Sequence, residues 1–219
     1  MGILFAALFL ASTAAHLYFS WKDHRRGRAW TKPFPIALLG LFYCFCVEAP
    51  SPVLLAALFT SWLGDVLLIP RGNRWFIIGG SSFLLSHLLF MAVYLPHIRP
   101  SSVPWLLMVP MAAVYVTVSV KCIRAVKDNM PKIMAVSMWL YLIANSCMNL
   151  LALMLLTTAG TAGGAVAYAG AVLFFASDCI LFLVRYHRNP KIIPRKHFPV
   201  MLCYITGELL ITLGMMMIG

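Results

Sequence analysis

Acidic residues are almost missing from this chain. Asp and Glu together number six in 219 residues. All charged residues make up 11% of the sequence, against about 25% in a soluble domain. No stretch is polar enough to read as a separate soluble domain, so residues 1–219 are expected to form a single membrane-embedded one. The alternation of apolar and polar residues in segments of about ten that marks a membrane barrel is also lacking. The six cysteines (Cys44, Cys46, Cys122, Cys147, Cys179 and Cys203) form no CxxC pair and mostly lie in apolar runs. They read as free thiols, not as disulfides or a zinc site. HExxH, HxxxH and GxSxG are absent, which argues against a zinc hydrolase and a serine-nucleophile elbow. No internal repeat is evident, which weakens a transporter reading. No basic residue precedes the first apolar run, so that run is not expected to be a cleaved signal. Ala6 stands where a myristoylation signal needs Ser or Thr.

What the chain does have is apolar length. Of its residues, 62% are hydrophobic, arranged in eight runs: about 3–21, 33–48, 52–69, 75–95, 103–120, 133–156, 162–184 and 198–218. Each is close to the roughly 20 residues a helix needs to cross hydrocarbon. The expected class is therefore all-α, an integral membrane bundle of eight transmembrane helices. The net charge of +11 follows the same plan. Sixteen of the 17 Lys and Arg residues fall in alternate connections, at 22–32, 71–74, 121–132 and 185–196, and only Arg99 lies in the others. The positive-inside rule places those basic loops in the cytoplasm and both termini on the opposite side. A bacterial inner membrane and an endoplasmic reticulum would give the same bias. Charges confined to short loops do not make a nucleic-acid surface. The expected partners are membrane lipids and a lipid substrate, with no inference about oligomeric state.

Against this background the buried polar residues stand out. Asp65 lies in Gly64-Asp65-Val66 and Asp178 in Ser177-Asp178-Cys179, each inside an apolar run. A carboxylate at membrane depth costs roughly 2.5–3.5 kcal/mol on insertion scales, so it needs a partner or a function. Asp65 precedes Arg71 by six residues, roughly 9 Å of helix, and Asp178 precedes Arg185 by seven, roughly 10 Å. The two are expected at matching depths, facing one intramembrane cavity, with no Lys or Arg at their level to pair with them. Tyr204 falls near that level. His87, Asn145 and Glu208 form a deeper layer, with Tyr141, Asn145 and Asn149 spaced i, i+4, i+8 along one helix face. The glycine- and alanine-rich stretch 160–171 reads as a close helix contact. Two carboxyls in a low-dielectric site can divide the work, one holding a proton while the other is ionised, which makes an acid/base pair. No metal and no cofactor is expected.

Several segments resemble the YhhN-like lysoplasmalogenase family. They are Thr31-Lys32-Pro33, Leu63-Gly64-Asp65-Val66-Leu67-Leu68-Ile69, Phe83-Leu84-Leu85-Ser86-His87-Leu88-Leu89-Phe90, Leu173-Phe174-Phe175-Ala176-Ser177-Asp178 and Tyr204-Ile205-Thr206-Gly207-Glu208-Leu209-Leu210-Ile211. Phe90 stands where that family usually has Tyr, and Glu208 where it usually has Gln. The resemblance implies hydrolysis of the vinyl-ether bond of lysoplasmalogens to a fatty aldehyde and a glycerophospho-ethanolamine or -choline. On that reading Asp65 and Asp178 are catalytic, in either order. His87, Asn145, Tyr204 and Glu208 orient them or hold water, and Lys32 meets the substrate phosphate. A different class of function, a proton-coupled transporter or a lipid-binding membrane protein, could use the same aspartates.

Overall fold

In a computed structural model every residue is described except Pro190, and for Lys132 the backbone alone. The chain is all-helical, with no strand among the described residues. Among the described residues, seven helical segments are long and apolar enough to cross a membrane, one fewer than expected and in keeping with a multi-pass integral membrane protein.

Two compact units are distinguished, Met1–Phe90 and Met91–Gly219. In the first, α1 (Gly2–Trp21) packs on α3 (Phe34–Cys46), and α3 packs on α4 (Pro52–Leu67). The segment expected to be a basic loop contains a helix of its own, α2 (Arg25–Thr31). His24 caps it, its ring Nδ1 accepting from the Gly27 amide at 3.1 Å. Asp23 adopts a left-handed φ of 50°, which reverses the chain just before it. Charge alone had suggested a loop here. The local cap decides otherwise, and α2 with α3 forms one apolar segment, Arg25–Cys46.

Helix α4 is shorter than its apolar run. It begins at Pro52, capped by Ser51, whose hydroxyl accepts from the Leu54 amide at 3.5 Å. It ends at Leu67, with Pro70 close behind. Proline is tolerated in the first helical turn but cannot continue a helix, so the flanking prolines set these limits. Sixteen residues extend about 24 Å, short of the roughly 30 Å of hydrocarbon. The Tyr43 hydroxyl accepts from the Ser51 amide at 2.8 Å and fixes the α3–α4 turn. Helix α5 spans Asn73–Tyr94.

The second unit holds α6 (Trp105–Val126), α7 (Lys132–Ala159), α8 (Ala162–Tyr186) and α9 (His197–Met216). Gly160, left-handed at φ 62°, ends α7, and Thr161 caps α8 by accepting from the Gly164 amide at 3.2 Å. The expected close contact is made by α8 and α9. A Cβ built on Gly170 would lie 2.6 Å from the Gly207 carbonyl oxygen, and one on Gly214 would lie 2.6 Å from that of Gly163. The two backbones touch along a glycine seam. Helices α6 and α7 pack on each other and on α8.

Candidate functional site

In the first unit, Asp65 is on the last turn of α4 and is 2% exposed. Its Oδ1 lies 3.3 Å from the Lys32 ammonium. The expectation that no cation would reach Asp65 is therefore wrong. Depth counted along the helix locates the Cα of a lysine. The flexible four-carbon stem carries the ammonium well beyond it. Lys32, placed by sequence at the cytoplasmic mouth, sits at the α2–α3 junction with its side chain 16% exposed. A phosphate approaching Lys32 would meet an ammonium already shared with a carboxylate.

Beside Asp65, Gly64 lets a helix come close. A Cβ there would lie 2.6 Å from the Phe83 ring of α5. The α4–α5 contact continues through Ser61 and Ser86, whose hydroxyls are 2.6 Å apart, and through the Ser82 hydroxyl donating to the Thr60 carbonyl at 2.6 Å. His87 is fully buried in the next position of α5. The Trp62 indole N–H donates to the Pro33 carbonyl at 3.0 Å, tying α4 to the chain next to Lys32. The Thr31-Lys32-Pro33 and Gly64-Asp65 segments thus meet in three dimensions.

In the second unit, Asp178 is buried on α8. Its Oδ2 accepts from Asn145 Nδ2 at 2.6 Å and from the Tyr141 hydroxyl at 3.0 Å. The i, i+4, i+8 stripe on α7 is therefore aimed at this carboxylate. Asn149 Nδ2 donates to Asn145 Oδ1 at 2.9 Å and to the Asn145 carbonyl at 3.0 Å. Two residues that sequence reasoning missed complete the network. The Tyr115 hydroxyl of α6 donates to Asn149 Oδ1 at 3.3 Å and lies 3.2 Å from the Tyr168 hydroxyl of α8. The adjacent Ser177 hydroxyl donates to the Val200 carbonyl at 2.9 Å, so the Ser-Asp pair binds α9 with one side chain and α7 with the other.

Tyr204 and Glu208 lie one turn apart on α9, both buried. The Tyr204 ring packs against Phe174, with centroids 5.4 Å apart. Glu208 is near enough to Tyr94 and Tyr141 to interact electrostatically with both. Among the described residues, no three His, Cys, Asp or Glu side chains cluster as metal ligands.

A family model described as YhhN family matches residues 27–215. The chain belongs to the YhhN family. No curated protein and no solved structure matches it. The YhhN match takes in both aspartates, Lys32, the α7 stripe and both positions at which the chain departs from the expected pattern. Phe90 is fully buried, where a ring without a hydroxyl adds no polar atom to satisfy. Glu208 brings a further ionisable group to the Asp178 side of this YhhN protein.

Proposed function

We propose that the chain hydrolyses the vinyl-ether bond of lysoplasmalogens, releasing a fatty aldehyde and a glycerophospho-ethanolamine or -choline. The observation that carries this reading is the setting of its two buried carboxylates. Each is buried and each is held by its own donors: Asp65 by the Lys32 ammonium, Asp178 by Asn145 and Tyr141. Membership of the YhhN family supports the reaction class.

Vinyl-ether cleavage needs few groups. A proton is added to the β-carbon of the C=C bond, and the ether oxygen shares the resulting positive charge as an oxocarbenium ion. Water adds to the carbon bonded to that oxygen and loses a proton, giving a hemiacetal. The hemiacetal collapses, its C–O bond to the glycerol breaks, and the glycerol oxygen takes a proton. One carboxyl group that donates and one carboxylate that stabilises the cation and accepts from water suffice.

The two environments suit different roles. Asp65, beside an ammonium, is the ionised partner. Asp178 is the donor. Asn145 and Tyr141 both donate to its Oδ2, which stabilises the carboxylate left after transfer. His87, Tyr204 and Glu208 orient these groups or hold water, and Lys32 draws the substrate phosphate toward its charge.

The test uses protein purified in detergent and lysoplasmenyl-ethanolamine, with aldehyde and intact lipid both measured. Wild type should release aldehyde. Asp65→Asn and Asp178→Asn should each lose at least about 100-fold in kcat. Full activity in both variants, or lipid left chemically unchanged by wild type, would overturn the proposal.

A further inference from the structure

Four side chains lead from a half-buried position on α8 to the Asp178 carboxylate, and the bonds between them all run one way. Start at the acceptor. Asp178 Oδ2 accepts here, so Asn145 turns Nδ2 toward it, at 2.6 Å, and Oδ1 away. Asn149 Nδ2 then meets two acceptors, Asn145 Oδ1 at 2.9 Å and the Asn145 carbonyl at 3.0 Å. That leaves Asn149 Oδ1 to accept from Tyr115 at 3.3 Å. Tyr115 has a single hydroxyl proton and gives it to Asn149. In its 3.2 Å contact with Tyr168 it therefore accepts, and Tyr168 donates.

We propose that Tyr168, Tyr115, Asn149 and Asn145 are one directed hydrogen-bond chain that positions Asp178 and stabilises the carboxylate it becomes on giving up its proton. The idea rests on the donor role assigned to Asp178 above. An amide cannot hand a proton along without being turned over, so the chain is not a proton wire. It acts through aligned dipoles, each bond polarising the next in a low-dielectric setting. Tyr141 reaches the same Oδ2 at 3.0 Å independently of the chain and leaves the carboxylate a donor when the chain is cut. Cys122 on α6, Cys179 on α8 and Glu208 on α9 are titratable groups that interact electrostatically with Asp178 or with Tyr141. Tyr115 and Tyr168 are positioning residues, acting through the two amides.

The experiment asks whether Tyr115 is energetically coupled to a carboxyl group it reaches only through two amides. Tyr115→Phe and Tyr168→Phe are made in the native chain and in the Asp178→Asn background, and thermal unfolding is followed in detergent. In the native chain Tyr115→Phe should lower the unfolding temperature by about 2–4 °C. In the Asp178→Asn background, where an amide replaces the carboxyl group at the end of the chain, the shift should be less than half as large. Tyr168→Phe should show the same pattern more weakly. Equal shifts in the two backgrounds, or none in either, would overturn the chain, because local packing adds and coupling does not. In an active enzyme, Tyr115→Phe should lower kcat about fivefold with KM unchanged. An unchanged kcat would also overturn the chain. If wild type releases no aldehyde, the proposed function falls, and the unfolding comparison still decides the chain.

Discussion

Asp65 and Lys32 form an ion pair that is buried at one end and half-buried at the other. Such pairs are asymmetric in energy. Their formation returns little beyond the desolvation it costs, but removing one partner leaves a buried charge uncompensated, at about 3–5 kcal/mol. Lys32→Met should therefore destabilise the protein strongly, and Lys32→Met combined with Asp65→Asn should recover much of the loss while remaining inactive. Thermal unfolding and the aldehyde assay together check this, and a double variant no more stable than Lys32→Met would contradict it. At this scale the sequence was legible where the signal lay within one helix. Asp65 and Asp178 were visible as costly groups in apolar runs, and Asn145 was visible through its stripe with Tyr141 and Asn149. Tyr115 and Tyr168 were not. The meaning of each depends on a contact between helices that periodicity does not carry. Lys32 was noticed, but its pairing with Asp65 was not expected, because residue counting follows the backbone and the ion pair is made by the side chain.

Among the elements, α8 and α9 hold the second unit together through backbone contact. Glycine is required at Gly170 for a simple reason: a methyl group there would meet the Gly207 carbonyl oxygen at 2.6 Å and the Ile211 amide nitrogen at 2.7 Å. Backbone atoms cannot rotate aside as a side chain can. Gly170→Ala should thus force the helices apart and cost about 1–3 kcal/mol. Gly40→Ala is the control, since nothing lies within 4 Å of its Cβ position and alanine favours helix over glycine. Unfolding temperatures in detergent should fall for the first and hold or rise for the second. Equal behaviour would mean that the seam has slack. The helices were legible to within a few residues because apolar length is a strong signal, except that α6 continues to Val126, past the expected end at residue 120. Helix α2 was missed, since five basic residues in and around it read as a loop and its formation rests on the His24 cap and the left-handed turn at Asp23. The end of α4 was overrun by two residues, the apolar run continuing to Ile69 after the helix stops at Leu67.

For the whole molecule the open quantity is the number of crossings, and it turns on α4. Seven segments are long enough to span, and α4, at 16 residues, is not by length alone. The basic residues supply the argument that length does not. If α4 crosses, sixteen of the 17 Lys and Arg residues lie on one side of the membrane and Arg99 alone on the other. If α4 does not cross, the later loops exchange sides, leaving six on one side and eleven on the other. Only the first arrangement obeys the positive-inside rule, and a short span is accommodated by local thinning of the bilayer at modest cost. We therefore propose eight crossings, basic loops in the cytoplasm and both termini opposite. Single cysteines placed at Glu48, Arg71, Asp128 and Thr161 in a cysteine-free chain distinguish the two arrangements. With a membrane-impermeant thiol reagent on intact cells, Glu48→Cys and Thr161→Cys should label if the chain resides in the plasma membrane, whereas Arg71→Cys and Asp128→Cys should label only after permeabilisation. Labelling of Glu48→Cys and Arg71→Cys from the same side would show that α4 turns back, and the depth argument that first paired Asp65 with Asp178 would then fail with it.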